Sequence, residues 1–175
     1  MTQQLNLNSA PKILFLFGLS GSGKSYIGDL IGQKTDRYVY HADEDITEEM
    51  ILALKEQRPF TESMRDQYFP IIAEKIVSLC QEHNAIVVTQ GVYKQRHREY
   101  LEAQLSDLEM IFVDAGDAHI SERLSTRGDG ITDESAAALR KDFELPPERI
   151  KVIVNEGGEE VIVAQLNDHF SFKSE

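Results

Sequence analysis

Short unbroken runs of apolar residues alternate along the chain with longer stretches in which apolar positions return every three or four residues. Lys12 to Phe17 is the first run, ended by Gly18; an apolar run without polar alternation suits a strand buried on both faces of a parallel sheet. Residues 24 to 33 then carry Ile27, Leu30 and Ile31 at helical spacing, with Gly32 near the end. Arg37 to His41 is rich in β-formers and predicts a second strand, after which Ile46, Met50, Ile51 and Leu54 predict a helix as far as Arg58-Pro59. Met64, Tyr68, Ile72, Ile76 and Cys80 form another helical stripe, in which Pro70 predicts either a kink or the start of a second part. Ala85 to Thr89 and Met110 to Asp114 predict two more buried strands, with a helix over Lys94 to Leu105 between them. A helix over 117–127, a Gly/Asp-rich stretch from Gly128 to Asp133 and a helix to about Phe143 follow. After the break at Pro146-Pro147, strand Ile150 to Val154 and a helix from about Glu159 complete the pattern.

Five strands alternating with helices predict an α/β domain with a parallel sheet and right-handed crossovers. Ligands in such sheets bind beyond the carboxyl ends of the strands, which predicts Gly18, Asp43, Thr89 and Asp114 along one edge. The 175 residues suit one domain, 1–175, with no repeat or linker to divide it. Composition narrows the function. Eighteen basic against 30 acidic residues leave a net charge of -12, which disfavours nucleic acid and anionic lipid as partners. No apolar run approaches the roughly 18 residues of a bilayer span, so no membrane partner is expected. Cys80 is the only cysteine, which excludes an intrachain disulfide and a cysteine-based zinc site. The opening MTQQLNLNSAP has no basic region followed by an apolar core, so the expected location is cytoplasmic.

The strongest chemical signal lies between the first strand and the first helix. Gly18-Leu19-Ser20-Gly21-Ser22-Gly23-Lys24-Ser25 matches GxxxxGK[ST] in the strand-loop-helix context that the motif requires. Its glycines let successive backbone N–H groups face an anion, Lys24 can reach the β- and γ-phosphates, and Ser25 can ligate magnesium. The pattern predicts a nucleoside triphosphate site and leaves open where the phosphoryl group goes.

Other candidates carry two readings each. Asp43, at the end of the second strand with His41 on the same face, can accept a proton from a substrate hydroxyl or hold a water on magnesium. Alternatively, Asp43 or Asp45 caps the helix at Ile46. Arg65 could clamp an anionic substrate, but its spacing favours a solvated surface position. Lys94, Arg96, His97 and Arg98, just beyond Gly91, form the most basic cluster of the chain and either attract a carboxylate or start a solvated helix. Arg123 and Arg127 share a helix face, and Arg127 opens the Gly128-Asp129-Gly130 stretch, as expected of a lid that brings charge to a transferring phosphoryl group on closure. Arg123 could instead pair with a nearby acid. His83, His119 and His169 lack ligand spacing and receive no role.

With these residues placed, nearly the whole chain resembles the small P-loop sugar and sugar-acid kinases, closest to bacterial gluconokinase and more distantly to shikimate kinase. The resemblance rests on GLSGSGKS at 18 to 25, HADEDI at 41 to 46, RPFTESMR at 58 to 65, AIVVTQGVYKQRHREYL, FVDAGDAHISERLSTRG, and DFELPP before the last strand. It implies a P-loop kinase fold with a substrate-binding helical region at about 43–80 and a lid at about 127–133. It also implies an ATP- and magnesium-dependent kinase of a small hydroxylated metabolite, with gluconate or a related sugar acid as the leading acceptor. Nucleotide contacts are implied for Gly18, Ser20, Gly21, Ser22, Gly23, Lys24, Ser25, Tyr26 and Arg123, and magnesium contacts for Ser25 and Asp43. Asp43, Arg65, Gly91 and Lys94 would hold the acceptor, while Lys24, Asp43 and Arg127 would act in catalysis. His41 stands where gluconokinases carry the first acid of Asp-Gly-Asp, and Gln90-Gly91-Val92-Tyr93 replaces Ser-Ala-Leu-Lys, with Lys94 one position late. These departures keep a shikimate-type or other small-molecule kinase, and a P-loop nucleotide-binding regulator, as alternatives. A homodimer is left open.

Overall fold

A computed structural model describes residues 3–116 and 133–171. Five strands form one parallel sheet: β1 (Ile13–Phe17), β2 (Tyr38–His41), β3 (Ile86–Thr89), β4 (Leu108–Asp114) and β5 (Lys151–Val154). Their order is β2-β3-β1-β4-β5, so the expected α/β class is the observed one. Around it lie α1 (Lys24–Lys34), α2 (Glu48–Lys55), α3 (Glu62–Glu82), α4 (Gln95–Gln104), α5 (Asp133–Asp142) and α6 (Glu159–Phe170). The lid expected at 127–133 and the helix expected at 117–127 lie outside the described residues, apart from Asp133, which begins α5.

The continuous apolar runs divide between two faces because side chains alternate along a strand. Ile13, Phe15, Phe17, Ile86, Val88, Met110 and Phe112 pack with Met64, Tyr68, Ile72 and Ile76 of α3 and Leu101 of α4. Leu14, Leu16, Val87, Ile111 and Val113 pack on the other face with Ile27, Leu30 and Ile31 of α1 and Ile162, Val163 and Leu166 of α6. Both faces are buried, which is why polar alternation is missing from the central strands.

Two boundary expectations change. α3 is one helix from Glu62 to Glu82 with Pro70 inside it, so the proline does not start a second part. Burial of Tyr68, Phe69, Ile72 and Ala73 on both sides of Pro70 holds the helix together across the missing backbone donor. The helix after β2 is capped by neither Asp43 nor Asp45: its N-cap is Thr47, whose hydroxyl accepts from the Met50 amide at 3.2 Å.

At the outer edge of the sheet, α6 covers β5 with side chains. Gln165 accepts from the Val154 amide at 2.8 Å and donates to the Val154 carbonyl at 2.9 Å, while His169 Nε2 lies 3.0 Å from the Val152 carbonyl. Among the described residues no helix is long and apolar enough to cross a membrane.

Candidate active site

The P-loop joins β1 to α1 at the carboxyl edge of the sheet, where the strand-loop-helix order of the sequence requires it. Gly21 (φ 85°) and Gly23 (φ 96°) adopt left-handed backbone angles, and Gly23 is the N-cap of α1. Gly18 has no room for a side chain, since a Cβ there would stand 2.5 Å from the Val113 carbonyl oxygen. The Asn155 side chain donates to the Ser22 carbonyl at 3.0 Å, tying the loop to the end of β5. Lys24, at the first turn of α1, lies 3.4 Å from the Leu19 carbonyl, so its ammonium folds back over the loop. Ser25 follows it on the same turn, and Tyr26 is half-exposed beside them. Backbone curled by left-handed glycines at a helix N-terminus, with a lysine over it, is a cradle for phosphate oxygens.

β2 ends in a short 3₁₀ turn, Ala42–Asp45, that presents Asp43 to solvent. Its neighbour Asp45 is engaged by the Tyr40 hydroxyl at 2.6 Å, while Asp43 and Glu44 stand exposed on the same turn. The turn is fixed from below: the buried Tyr68 hydroxyl donates to the Ala42 carbonyl, and Gln90 Nε2 donates to that hydroxyl at 2.6 Å. Gln90 Oε1 in turn accepts from the Gly91 amide at 2.7 Å, so one chain of hydrogen bonds joins the Asp43 turn to the loop after β3. Burial pushes the Tyr68 phenol up, with the Asp43 and Asp45 charges acting in the same direction against the Gln90 hydrogen bond. It stays protonated and a donor.

His41 is anchored at both ring nitrogens, Nδ1 2.6 Å from Thr89 Oγ1 and Nε2 2.8 Å from Asp29 Oδ1. It therefore spans β2, β3 and α1. Gly28 leaves space for this arrangement, because a Cβ there would come within 2.7 Å of the Thr89 methyl.

Arg65 is not the solvated side chain its spacing favours. It is 12% exposed, its guanidinium lies 5.5 Å from the centre of the Tyr93 ring, and Nη2 sits 2.8 Å from Asp142 Oδ2. Lys94 Nζ meets the other oxygen of the same carboxylate, Asp142 Oδ1, at 2.9 Å. Against the opposing effect of partial burial, these two hydrogen-bonded cations hold the Asp142 carboxyl below the usual range. Tyr93 also accepts the Ser20 amide at 3.3 Å, so one phenol ring touches both the P-loop and Arg65. Gly91 makes room for that ring, since a Cβ there would stand 2.9 Å from it and 3.4 Å from the Gly18 carbonyl.

The basic cluster does not act together; only Lys94 turns to this site. Arg96 reaches Asp66 at 2.5 Å and Glu62 at 3.4 Å, and buried His97 shares Asp66 at 2.7 Å, which clasps α4 to α3. Arg98 is buried at 1% exposure. It donates to the carbonyls of Val92 (2.8 Å), Tyr93 (3.1 Å) and Glu144 (2.6 Å), with its guanidinium against the Phe17 and Phe143 rings. Successive helix residues point about 100° apart, so adjacency in sequence separates these charges in space. Arg123 and Arg127 lie outside the described residues.

Tyr93, Asp142, Gln90 and Tyr68 carry this geometry and were not singled out by spacing. Tyr93 and Asp142 do fall within the segments GVYK and DFELPP, but their partners are distant in sequence. Among the described residues no group of three or more His, Cys, Asp or Glu side chains is disposed to hold a metal. Magnesium here would depend on Ser25, one nearby acid, phosphate oxygens and water, which suits an ion that keeps much of its hydration shell.

The family model for shikimate kinase matches residues 20–156. Three solved structures share the fold. A sugar kinase from Janibacter sp. HTCC2649 is 20% identical, with a TM-score of 0.79, over 92% of this chain and 96% of that one. A gluconokinase from Sinorhizobium meliloti 1021 is 20% identical, with a TM-score of 0.77, over 94% and 95%. The APS kinase of Mycobacterium tuberculosis, in complex with AMPPNP and APS, is 17% identical, with a TM-score of 0.67, over 95% and 96%. No curated protein matches the sequence.

Proposed function

The chain belongs to the shikimate kinase family, and we propose that it transfers the terminal phosphoryl group of ATP to a hydroxyl of a small anionic metabolite, gluconate or a related sugar acid first. The observation that carries the acceptor class is the Arg65–Lys94 pair, which grips both oxygens of one carboxylate at 2.8 and 2.9 Å. Charge-assisted bonds of this kind are strong and directional enough to orient a sugar acid.

Lys24 and the loop amides hold the β- and γ-phosphates and neutralise charge that grows on them during transfer. Ser25, and Asp43 through water, would hold magnesium, which would supply further neutralisation of that charge. Asp43 aligns the acceptor hydroxyl and takes its proton as the new O–P bond forms. Arg65 and Lys94 hold the acceptor by its carboxylate, and Gly91 lets the Tyr93 ring pack between the loop and Arg65. Arg127, with Arg123 on the nucleotide side, is assigned the lid role that the resemblance implies.

Coupled ADP release with gluconate, related sugar acids and shikimate tests the reading. Asp43→Asn is expected to keep ATP binding and lose most acceptor-dependent ADP release; full turnover in that variant would remove Asp43 from the mechanism. The match to the shikimate kinase family favours shikimate as the second acceptor, and it too presents a carboxylate to the same pair. ATP binding without stimulation by any of these acids would favour the nucleotide-binding regulator instead.

A further inference from the structure

The Arg65–Lys94 pair already grips a carboxylate, and that carboxylate belongs to the chain itself. Each oxygen of Asp142 serves one cation, Oδ2 facing Arg65 at 2.8 Å and Oδ1 facing Lys94 at 2.9 Å. A small ligand acid can take the same arrangement, because its carboxylate carries two oxygens with the same separation as those of Asp142. Resting on the kinase reading above, we propose that Asp142 is an internal competitor for the acceptor's carboxylate and is thereby the residue that sets how strongly the site takes anionic acceptors.

The burial pattern fits a side chain that can leave. Arg65 and Lys94 are 12% and 18% exposed, whereas Asp142 is 37% exposed at the last residue of α5. Its neighbour Phe143 is buried among aromatic rings, 5.2 Å from Tyr93, 5.5 Å from Phe112 and 6.5 Å from Phe17 between centroids. The backbone is therefore pinned at 143 while the Asp142 side chain can rotate toward water. An arriving acid cannot share the pair cheaply, since two carboxylates around the same donors repel and each would keep only part of its hydrogen bonding. It must exchange with Asp142. A neutral polyol offers no charge to make that exchange favourable, so an acid is selected over its uncharged counterpart, at the cost of a higher working concentration of acid.

The exchange is readable without turnover. Asp142→Asn keeps the shape of the side chain and removes its charge, and Asp142→Ser provides a second variant should the first fail to fold. Thermal unfolding is followed while gluconate, malonate or the neutral polyol sorbitol is titrated into the parent and variant proteins. The expected result is stabilisation by gluconate and malonate at about tenfold lower concentration in the variants, with sorbitol unchanged, and loss of that gain when Lys94→Met is added. Carboxylates that bind the variants no more tightly than the parent, or more weakly, would overturn the proposal and leave Asp142 as an orienting partner of the two cations. Where gluconate is turned over, its KM should fall in Asp142→Asn by a similar factor while kcat does not rise. Tighter malonate binding without turnover of any acid would preserve the role of Asp142 and reject the acceptor assignment.

Discussion

Replacing Arg98 by alanine tests whether this buried cation, rather than the apolar core alone, holds the loop after β3 in place. The guanidinium is 1% exposed, and burial pushes it down to about 10, so it enters the fold charged at neutral pH. Keeping it charged there costs about 3 kcal/mol. Its removal returns that amount but orphans the Val92 and Glu144 carbonyls, whereas the Tyr93 carbonyl keeps the Glu144 amide at 2.8 Å. Two orphaned carbonyls cost about 4 kcal/mol together. Loss of the Phe17 and Phe143 ring contacts at 4.6 and 4.9 Å adds about 2 kcal/mol. The net expectation for Arg98→Ala is about 3 kcal/mol of destabilisation, read as a fall in Tm of roughly 6–12 °C for a chain of this size. Urea unfolding at pH 7 measures it directly. Because Val92, Tyr93, Phe143 and Glu144, the neighbours of Lys94 and Asp142, meet at this guanidinium, KM for the acceptor should also rise, with ATP affinity little changed. A variant within 1 kcal/mol of the parent, with acceptor kinetics intact, would refute the reasoning and leave those segments held by Phe143 packing.

Lys24→Ala should abolish turnover and weaken ATP binding by about 10- to 100-fold, which calorimetry would measure; unchanged affinity would undo the nucleotide reading. Gly18→Ala should cost about 2 kcal/mol and reduce nucleotide binding, because its Cβ would meet the Val113 backbone oxygen at 2.5 Å, and backbone cannot step aside as a side chain can; thermal unfolding with and without ATP separates the two effects. Thr47→Ala removes the cap on the Met50 amide and should lower stability by about 1 kcal/mol while leaving ATP affinity unchanged.

The parts of this fold that depend on local pattern were legible in the sequence. β1 and β3 were readable as short apolar runs because their two faces are buried by different helices, so the alternation of a half-exposed strand is missing. The P-loop was readable because its geometry is made by neighbours in sequence: left-handed glycines, then a helix N-terminus. What spacing could not give was pairing across distance. Arg65 looked solvated beside its own helix neighbours, and its burial comes from Tyr93 and Asp142, which are brought to it by the loop after β3 and the end of α5. Lys94, Arg96 and Arg98 looked like one basic patch until helical direction sent one to Asp142, one to α3 and one into the core. Helical periodicity alone would have separated Arg96 from the other two. Asp43 and Asp45 were indistinguishable by position, and only the fold shows that Asp45 is bound by Tyr40 while Asp43 is exposed.

The side chains laid along β5 bear on how copies of this chain could meet. A parallel sheet can be extended by a neighbour wherever an outer strand offers a free row of amides and carbonyls. On β5, Gln165 already takes both backbone groups of Val154, and His169 takes the carbonyl of Val152. A second chain approaching there would have to break three side-chain bonds to form its first rungs, so a continuous ten-stranded sheet across that rim is disfavoured. Any pairing of subunits on this side is directed to helix faces, where association leaves the order of the strands, and the phosphate edge they build, undisturbed.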